Sequence, residues 1–321
     1  MRNIQQLIEE YAVDLRARGR SEHTIRWYTQ KLRHFASYLK KRRRTIEGAT
    51  RADLREFILM LQTTRADANN PFKGARNGTL SSATIRGYAQ TIKGFTQWLV
   101  SEEYLEKDPF RKVAVPKADR KELEIVGDGE MVELLRAAAR SPSPARDTAL
   151  VWTFYGTGIR LSELTGLHRE AMHMSKSGAY IKVRGKGAKE RLVPLGPKVQ
   201  SELARYLREH AASEDGTVFL SRSGAPLTPT GVYQALARLG REAGVRISPH
   251  KLRHTFATNY LMNGGDAESL RLTLGHETLA MTMRYIHLTQ RHLSIQNQRY
   301  SPADALWAKI RTGRGRVKEM D

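Results

Sequence analysis

The first hundred residues carry apolar side chains at alternating spacings of three and four, and this spacing decides the fold class of that region. The second such stripe is typical and consists of Ile25, Tyr28, Leu32, Phe35 and Leu39. Side chains spaced in this way lie on one face of an α-helix. Comparable stripes begin at Ile4, after Thr50 and after Ser81 or Ser82. The sequence therefore predicts four N-terminal helices, with a polar loop over 63–79 between the third and the fourth.

The pattern changes between Asp108 and Leu123, where prolines and alternating charges replace the helical spacing. We predict a helical domain over 1–111, a linker over 112–124, a second domain over 125–300, and a C-terminal helix with a basic tail over 301–321. Ala179–Val183 and Arg191–Leu195 alternate apolar residues around a glycine turn, which indicates a β-hairpin between helices. The expected fold class is mainly α with a small β-sheet (α+β).

The charge of the chain indicates what kind of partner it binds. Lys and Arg number 54 against 33 Asp and Glu, which gives a formal net charge of +21, and both halves of the chain are basic. Such a surplus favours a polyanionic partner, and double-stranded DNA is our expectation, with an anionic membrane surface as the alternative. No stretch approaches the roughly 18 consecutive apolar residues of a membrane span, so we expect a cytoplasmic, DNA-associated protein. The absence of cysteine excludes thiol nucleophiles, disulfides and cysteine-bound zinc.

Basic side chains lie opposite the apolar stripes of the second and fourth predicted helices. Arg26 and Arg33 occupy the second helix, and Arg86 and Lys93 occupy the fourth. We predict that these four residues contact DNA phosphates. The alternative is an ordinary solvated face, since most exposed Lys and Arg side chains have no partner.

Two glycine-rich segments of the second domain place cations at turns. In Thr157–Leu164 a glycine turn delivers Arg160 to the start of a helix, where a phosphate would satisfy both the guanidinium group and the helix end. Glu163, one turn further, is positioned to orient that guanidinium group, although such a pair is more often a surface salt bridge. In the hairpin turn, Lys186 lies between two glycines and Lys189 follows. The flanking glycines allow a close approach to a nucleic-acid backbone.

Two further segments contribute histidines and a tyrosine. Ser248 and Pro249 open a helix that places His250 and Arg253 on one face. His250 and His254 are four residues apart, but the glutamate of an HExxH zinc motif is replaced by lysine, so we predict no metal and treat His254 as a structural histidine. The fourth segment contains His276, which is followed nine residues later by Tyr285.

Together these segments resemble the tyrosine recombinase (phage integrase) family, in the style of its Xer and transposon-integrase branch. The motifs TGIRLSEL, VRGKGAKERLVPL, SPHKLRHTFAT, LGHE and RYIHL stand in the family order. The resemblance implies a helical core-binding domain followed by a tyrosine-recombinase catalytic domain. It assigns catalysis to six residues: Arg160, Lys186, His250, Arg253, His276 and Tyr285.

The resemblance also implies a mechanism. Tyr285 attacks the scissile phosphate with help from His250, which leaves a 3′-phosphotyrosine and a free 5′-hydroxyl. Lys186 protonates the departing 5′-oxygen. The phosphate is held by three donors, Arg160, Arg253 and His276. No nucleotide cofactor is expected, because the covalent ester conserves the energy of the cleaved bond. No metal is expected, because the arginines neutralise the charge of the phosphate.

The family further implies four protomers on two DNA sites that exchange strands through a Holliday junction. The segment 301–310 is expected to form a short amphipathic helix that docks on a neighbouring protomer or packs on its own domain. Three alternative functions stay open at this point. They are a type IB topoisomerase-like enzyme, a DNA-binding architectural protein with a decayed site, and a metal-dependent nuclease.

Overall fold

The computed structural model describes residues 3–64, 79–119, 123–175, 178–185, 190–210, 213–286, 297 and 300–311. The chain divides into two compact units, Met1–Lys121 and Glu122–Asp321. None of the helices in these described ranges is both long enough and apolar enough to cross a membrane.

The N-terminal unit contains the four predicted helices, α1 (Ile4–Ala17), α2 (Glu22–Lys41), α3 (Arg51–Thr63) and α4 (Ser82–Ser101). Ser21 and Ser81 cap α2 and α4, because each side chain accepts a hydrogen bond from a backbone N–H of the first turn. The apolar stripes meet in one core, in which the rings of Phe35 and Phe57 lie 5.0 Å apart. Most of the polar loop predicted between α3 and α4 lies outside the described residues.

The C-terminal unit begins with α5 (Asp128–Ala139), α6 (Pro144–Thr157) and α7 (Leu161–Thr165). An antiparallel sheet follows, with strand order β1 (Met172–Ser175), β2 (Gly178–Arg184) and β3 (Glu190–Pro194). The remaining helices are α8 (Pro197–Glu209), α9 (Pro229–Ala243), α10 (Pro249–Met262), α11 (Ala267–Leu274), α12 (Leu279–Ile286) and α13 (Pro302–Arg311). This mixture confirms a mainly helical fold with a small sheet.

One element of this unit was not expected from the sequence. Strand β1 was not predicted, because its four residues are exposed or half-buried and show no apolar alternation. The first two helices have ordinary starts. Helix α6 begins at Pro144, since proline is well tolerated in the first turn of a helix. The cap of α5 is Gly127, and its N–H donates to the Glu130 carboxylate at 2.9 Å.

The predicted C-terminal helix is present as α13. Its three large apolar side chains, Leu306, Trp307 and Ile310, are each more than half exposed. None of the three belongs to a buried core cluster of the described residues.

Candidate active site

Three consecutive carbonyl groups at the C-terminal end of α11 accept hydrogen bonds from three arginines. The pairs are Arg191 Nε to Thr273 O at 2.7 Å, Arg253 Nη2 to Leu274 O at 2.9 Å, and Arg160 Nη2 to Gly275 O at 2.9 Å. The last carbonyls of a helix have no intrahelical partner and carry partial negative charge, so they attract cations. The end of α11 therefore gathers guanidinium groups from three distant segments of the chain.

Glycines make this close approach possible. Gly275 ends α11 with φ +64°, and a Cβ there would lie about 3.0 Å from the Arg191 side chain. Gly158 ends α6 with φ +61°, and a Cβ there would lie 2.4 Å from the Phe256 ring. Both positions have a left-handed backbone that favours glycine. A side chain at Gly158 would collide with Phe256, and one at Gly275 would force the Arg191 side chain to shift.

Glu163 connects two of the arginines. Its carboxylate accepts hydrogen bonds from the Arg160 Nη1 at 2.9 Å and from both terminal nitrogens of Arg191, at 2.6 and 2.9 Å. It also accepts from the Arg160 backbone N–H at 2.8 Å. Burial alone would raise the pKa of this carboxyl, but the Arg191 hydrogen bonds and the Arg160 contacts outweigh it and lower the pKa. The orienting contact expected from the sequence is present, and Arg191 is an additional partner that the sequence analysis missed.

Arg253 is almost completely buried, with 6% of its surface exposed. Its Nη1 donates to Gly158 O at 2.6 Å, so the guanidinium group bridges the ends of α6 and α11. Burial, together with the nearby charge of Arg160, lowers the pKa of Arg253 to about 10. The group stays cationic at neutral pH and is fixed before any ligand binds.

Tyr285 lies in α12 and is only 2% exposed. Its hydroxyl is 2.9 Å from the Nδ1 of His254. The sequence predicts that His250 assists this phenol and that His254 is structural. The structure places His254 there instead, whereas His250 is exposed and its ring centroid lies 6.5 Å from that of His254. The two histidines are four residues apart on α10. His254 is the one that contacts Tyr285 of α12.

His276 lies beside the tyrosine. The two rings are nearly parallel, with an interplanar angle of 8° and centroids 6.3 Å apart. His276 Nδ1 is 2.8 Å from the hydroxyl oxygen of Thr282. Burial, with the charge of Arg253 next in importance, lowers the pKa of His276 to about 4, and burial with the charge of Arg284 does the same for His254. Both imidazoles are therefore neutral at pH 7.

Two predicted site residues, Lys186 and Lys189, lie outside the described residues. In the sequence they stand between the end of β2 and the start of β3. No group of three His, Asp or Glu side chains in the described ranges is arranged to hold a metal ion.

The four DNA-contact candidates of the N-terminal unit fall into two pairs. Arg26 and Arg33 are exposed on α2. Arg86 and Lys93 are half-buried and donate to backbone carbonyls, Arg86 to Pro116 O at 3.3 Å and Lys93 to Val113 O at 2.6 Å. Their observed contacts fasten the segment that follows α4, a role that the sequence analysis did not anticipate. The buried side chain of Val113 draws that segment into the N-terminal core.

The chain belongs to the tyrosine recombinase (phage integrase) family. The model of the phage integrase family matches residues 126–292, and that of the phage integrase N-terminal SAM-like domain matches residues 8–103. The chain is 31% identical over 310 residues to the tyrosine recombinase XerD of Oceanobacillus iheyensis, covering 93% of this chain and 99% of that protein. It is 34% identical over 224 residues to the tyrosine recombinase XerC of Shigella flexneri, covering 68% of this chain and 74% of that protein.

Solved structures share the fold. A XerH site-specific recombinase bound to palindromic difH substrate aligns with a TM-score of 0.70 and 22% identity, over 94% of this chain and 85% of that one. The Tn1549 transposon integrase in complex with a circular intermediate DNA aligns with a TM-score of 0.68 and 19% identity, over 89% of this chain and 95% of that one.

The chain is a site-specific recombinase that cleaves and rejoins DNA, and the topoisomerase-like and architectural alternatives are not favoured.

Proposed function

We propose that this recombinase cleaves double-stranded DNA through Tyr285, forming a 3′-phosphotyrosine and releasing a 5′-hydroxyl. The observation that carries the proposal is the gathering of Arg160 and Arg253 at the end of α11, with His276 stacked on the Tyr285 ring in the same unit. Two guanidinium groups, a neutral imidazole and a phenol suit nucleophilic attack on a phosphodiester.

The arginines supply the electrostatic part of the reaction. Each guanidinium group has five N–H donors, so Arg160 and Arg253 keep donors free after their contacts with the protein. Arg160 is one-third exposed and can reach a non-bridging phosphate oxygen. Because both groups are already held in place, they stabilise the charge of the pentacoordinate transition state without reorganising.

His254 is the proposed partner of the nucleophile. Burial raises the pKa of the Tyr285 phenol, while Arg253 acts in the opposite direction. A neutral His254 presents a lone pair that holds the hydroxyl at 2.9 Å and accepts its proton as the bond to phosphorus forms. Electrons move from the phenol oxygen to phosphorus, and the P–O bond to the 5′-oxygen breaks. Lys186 returns a proton to that oxygen, and His250 and His276 are proposed contacts to the phosphate.

We further propose that four protomers act on two recombination sites and exchange strands through a Holliday junction. The apolar side chains of α13 support a contact with another protomer, since Leu306, Trp307 and Ile310 are each more than half exposed. Deletion of residues 301–321 is expected to reduce tetramers on DNA while leaving cleavage by single protomers intact. Mass photometry of the protein–DNA complexes measures this directly.

Replacement of the nucleophile tests the proposed chemistry. Tyr285→Phe removes only the hydroxyl, so specific DNA binding is expected to persist while the covalent adduct disappears. The substrate is a site selected from a random DNA library by cleavage, and the adduct is detected as a protease-sensitive band on a denaturing gel. Tyr233→Phe, at a half-exposed tyrosine of α9, is the matched control and keeps wild-type activity.

Either of two results would contradict the proposal. One is an undiminished adduct in Tyr285→Phe, which would assign the nucleophile elsewhere. The other is loss of cleavage in excess EDTA with recovery on addition of Mg²⁺, which would favour a metal-dependent nuclease. Cleavage by the wild-type protein is expected to continue in EDTA, because the arginines supply the charge.

A further inference from the structure

Thr282 contacts the histidine that stacks on the nucleophile. Its hydroxyl oxygen lies 2.8 Å from His276 Nδ1, and both side chains are buried, with exposures of 0% and 7%. The imidazole is neutral at pH 7, because its pKa lies at about 4. A neutral imidazole carries one N–H, so this contact has two possible directions. Either the hydroxyl donates to Nδ1 and Nε2 carries the proton, or Nδ1 donates and Nε2 is bare.

The surroundings of the hydroxyl decide between the two directions. Several buried threonines of this chain donate to the carbonyl four residues earlier, as Thr153, Thr157 and Thr255 do. Within the described ranges, Thr282 makes no such bond, and His276 Nδ1 is its only hydrogen-bond partner. If Nδ1 carried the proton, the hydroxyl proton of Thr282 would be buried without an acceptor, which is unfavourable.

We infer that Thr282 is a positioning residue that holds His276 in the tautomer with the proton on Nε2. The inference rests on the proposed function, in which His276 donates a hydrogen bond to a phosphate oxygen. Only the Nε2–H tautomer has a donor on the nitrogen that Thr282 leaves free. A bare Nε2 would instead direct a lone pair at the phosphate and repel it. Thr282 acts through His276 and does not touch the reacting atoms.

The tautomer is measured directly by NMR of the full chain labelled with ¹⁵N-histidine. Long-range ¹H–¹⁵N spectra distinguish a protonated Nε2 from a protonated Nδ1, and the His276 signals are assigned by their loss in His276→Gln. We expect the Nε2–H pattern in the wild type and in Thr282→Ser, which keeps the hydroxyl. In Thr282→Val, which has the same shape without the hydroxyl, the signals are expected to move towards a mixture of tautomers.

An Nδ1–H pattern in the wild type, or an unchanged pattern in Thr282→Val, would overturn the inference. The measurement needs no DNA, so it separates this inference from the proposed function, which fails on the adduct assay instead. If the valine variant does not fold, the wild-type and serine spectra still decide the question.

The activity test uses the same substitutions. Loss of the partner that orients a metal-bound histidine costs roughly 10–100-fold. We expect an effect of the same order for His276, so adduct formation by Thr282→Val should slow by about tenfold or more. Thr282→Ser is expected to keep nearly the wild-type rate. Thr258→Val is the matched control, because this buried hydroxyl of α10 has no hydrogen-bond partner in the described part of the chain. Equal losses in the valine and serine variants of Thr282 would indicate a packing role and contradict the inference.

Discussion

Two sets of arginines, one in each unit of this recombinase, are held in opposite ways. In the C-terminal unit, Arg160, Arg191 and Arg253 each donate to at least two protein acceptors, and Arg253 is 6% exposed. In the N-terminal unit, Arg26 and Arg33 extend from α2 into solvent. Fixed donors stabilise one transition state without reorganising, whereas exposed donors give an attraction that adapts to DNA and weakens with salt. The difference predicts which substitutions change chemistry and which change binding.

Lys186→Ala is expected to have the largest effect on the chemistry, because we propose that Lys186 protonates a single atom, the departing 5′-oxygen. General acids contribute about 10²–10⁴-fold, so Lys186→Ala is expected to be severely slowed on ordinary DNA. Replacing the 5′-bridging oxygen by sulfur makes the leaving group a thiolate, whose conjugate acid has a pKa nearer to the cysteine value of about 8.5. Such a group leaves without a proton. The variant should therefore recover much of its cleavage rate on a 5′-bridging phosphorothioate substrate.

Arg160→Ala is the comparison for that experiment. It removes phosphate binding rather than a proton, so no comparable recovery is expected on the sulfur substrate. Equal defects of Lys186→Ala on both substrates would reassign Lys186 to phosphate binding, and Lys189 or His276 would become the next candidate acid. Single-turnover cleavage rates on the two substrates separate these outcomes.

Arg191 tests whether the arginine cluster is also structural. Arg191→Met keeps the aliphatic stem but leaves the carboxylate of Glu163, which is 2% exposed, without its bidentate partner. Breaking a buried ion pair by removing one partner costs about 3–5 kcal/mol, and here the remaining contacts with Arg160 reduce that cost towards the lower figure. Urea unfolding measures the decrease in stability, and cleavage should slow as well, because Arg160 no longer has a fixed carboxylate beside it.

The control for Arg191 is Arg136→Met. Arg136 pairs with Glu133 on the surface of α5, where the side chains are 63% and 48% exposed. Exposed pairs contribute about 0–1 kcal/mol, so this variant is expected to remain near wild-type stability. Similar decreases in the free energy of unfolding in both variants would show that the buried ion pair of Arg191 contributes no more to stability than an exposed pair. A smaller decrease for Arg191→Met in a Glu163→Gln background would locate the coupling in that pair.

The sequence predicted the helices of the N-terminal unit well, because apolar spacing reports burial directly. Helix α2 contains the stripe predicted from Ile25 to Leu39, and that stripe lies in the core. The hairpin was also predicted, because β2 alternates buried and exposed residues. Strand β1 was missed, since its short, half-exposed segment carries no such signal.

The site was predictable only in part. The motifs placed Arg160, Arg253 and Tyr285 in one unit, but they did not show what holds each side chain. Arg191 was missed because its partners are a backbone carbonyl and a carboxylate 28 residues earlier in the chain, neither of which leaves a local pattern. The partner of Tyr285 was assigned to His250 rather than His254, because helical spacing puts both histidines on one face and only the packing of α12 distinguishes them.

The salt dependence of DNA binding tests the exposed arginines of α2, Arg26 and Arg33. Removing one cation that neutralises a phosphate is expected to reduce the slope of log K against log salt by about 0.9, so the double variant Arg26→Ala with Arg33→Ala should reduce it by about 1.8. The cleavage rate at saturating DNA should be unchanged, because neither residue belongs to the reacting site. Arg18→Ala, an exposed residue of the same unit paired with Asp14, is the control and should leave the slope as it is. An unchanged slope in the double variant would indicate that α2 presents an ordinary solvated face.

The smallest expected effect concerns the two neutral histidines of the candidate active site, His254 and His276. The pKa of both His254 and His276 is lowered to about 4, chiefly by burial, whereas an unfolded chain gives histidine a pKa of about 6.5. Between these values the unfolded state binds protons that the folded state does not, so the free energy of unfolding falls as the pH falls. The useful window is pH 6.5 to about 5, above the range in which carboxylates such as Glu163 begin to titrate. Urea midpoints measured across that window should decline less steeply in His254→Gln than in the wild type. A wild-type slope retained in His254→Gln would show that this imidazole is not held neutral by burial, and the proposed acceptor for the Tyr285 proton would lose its support.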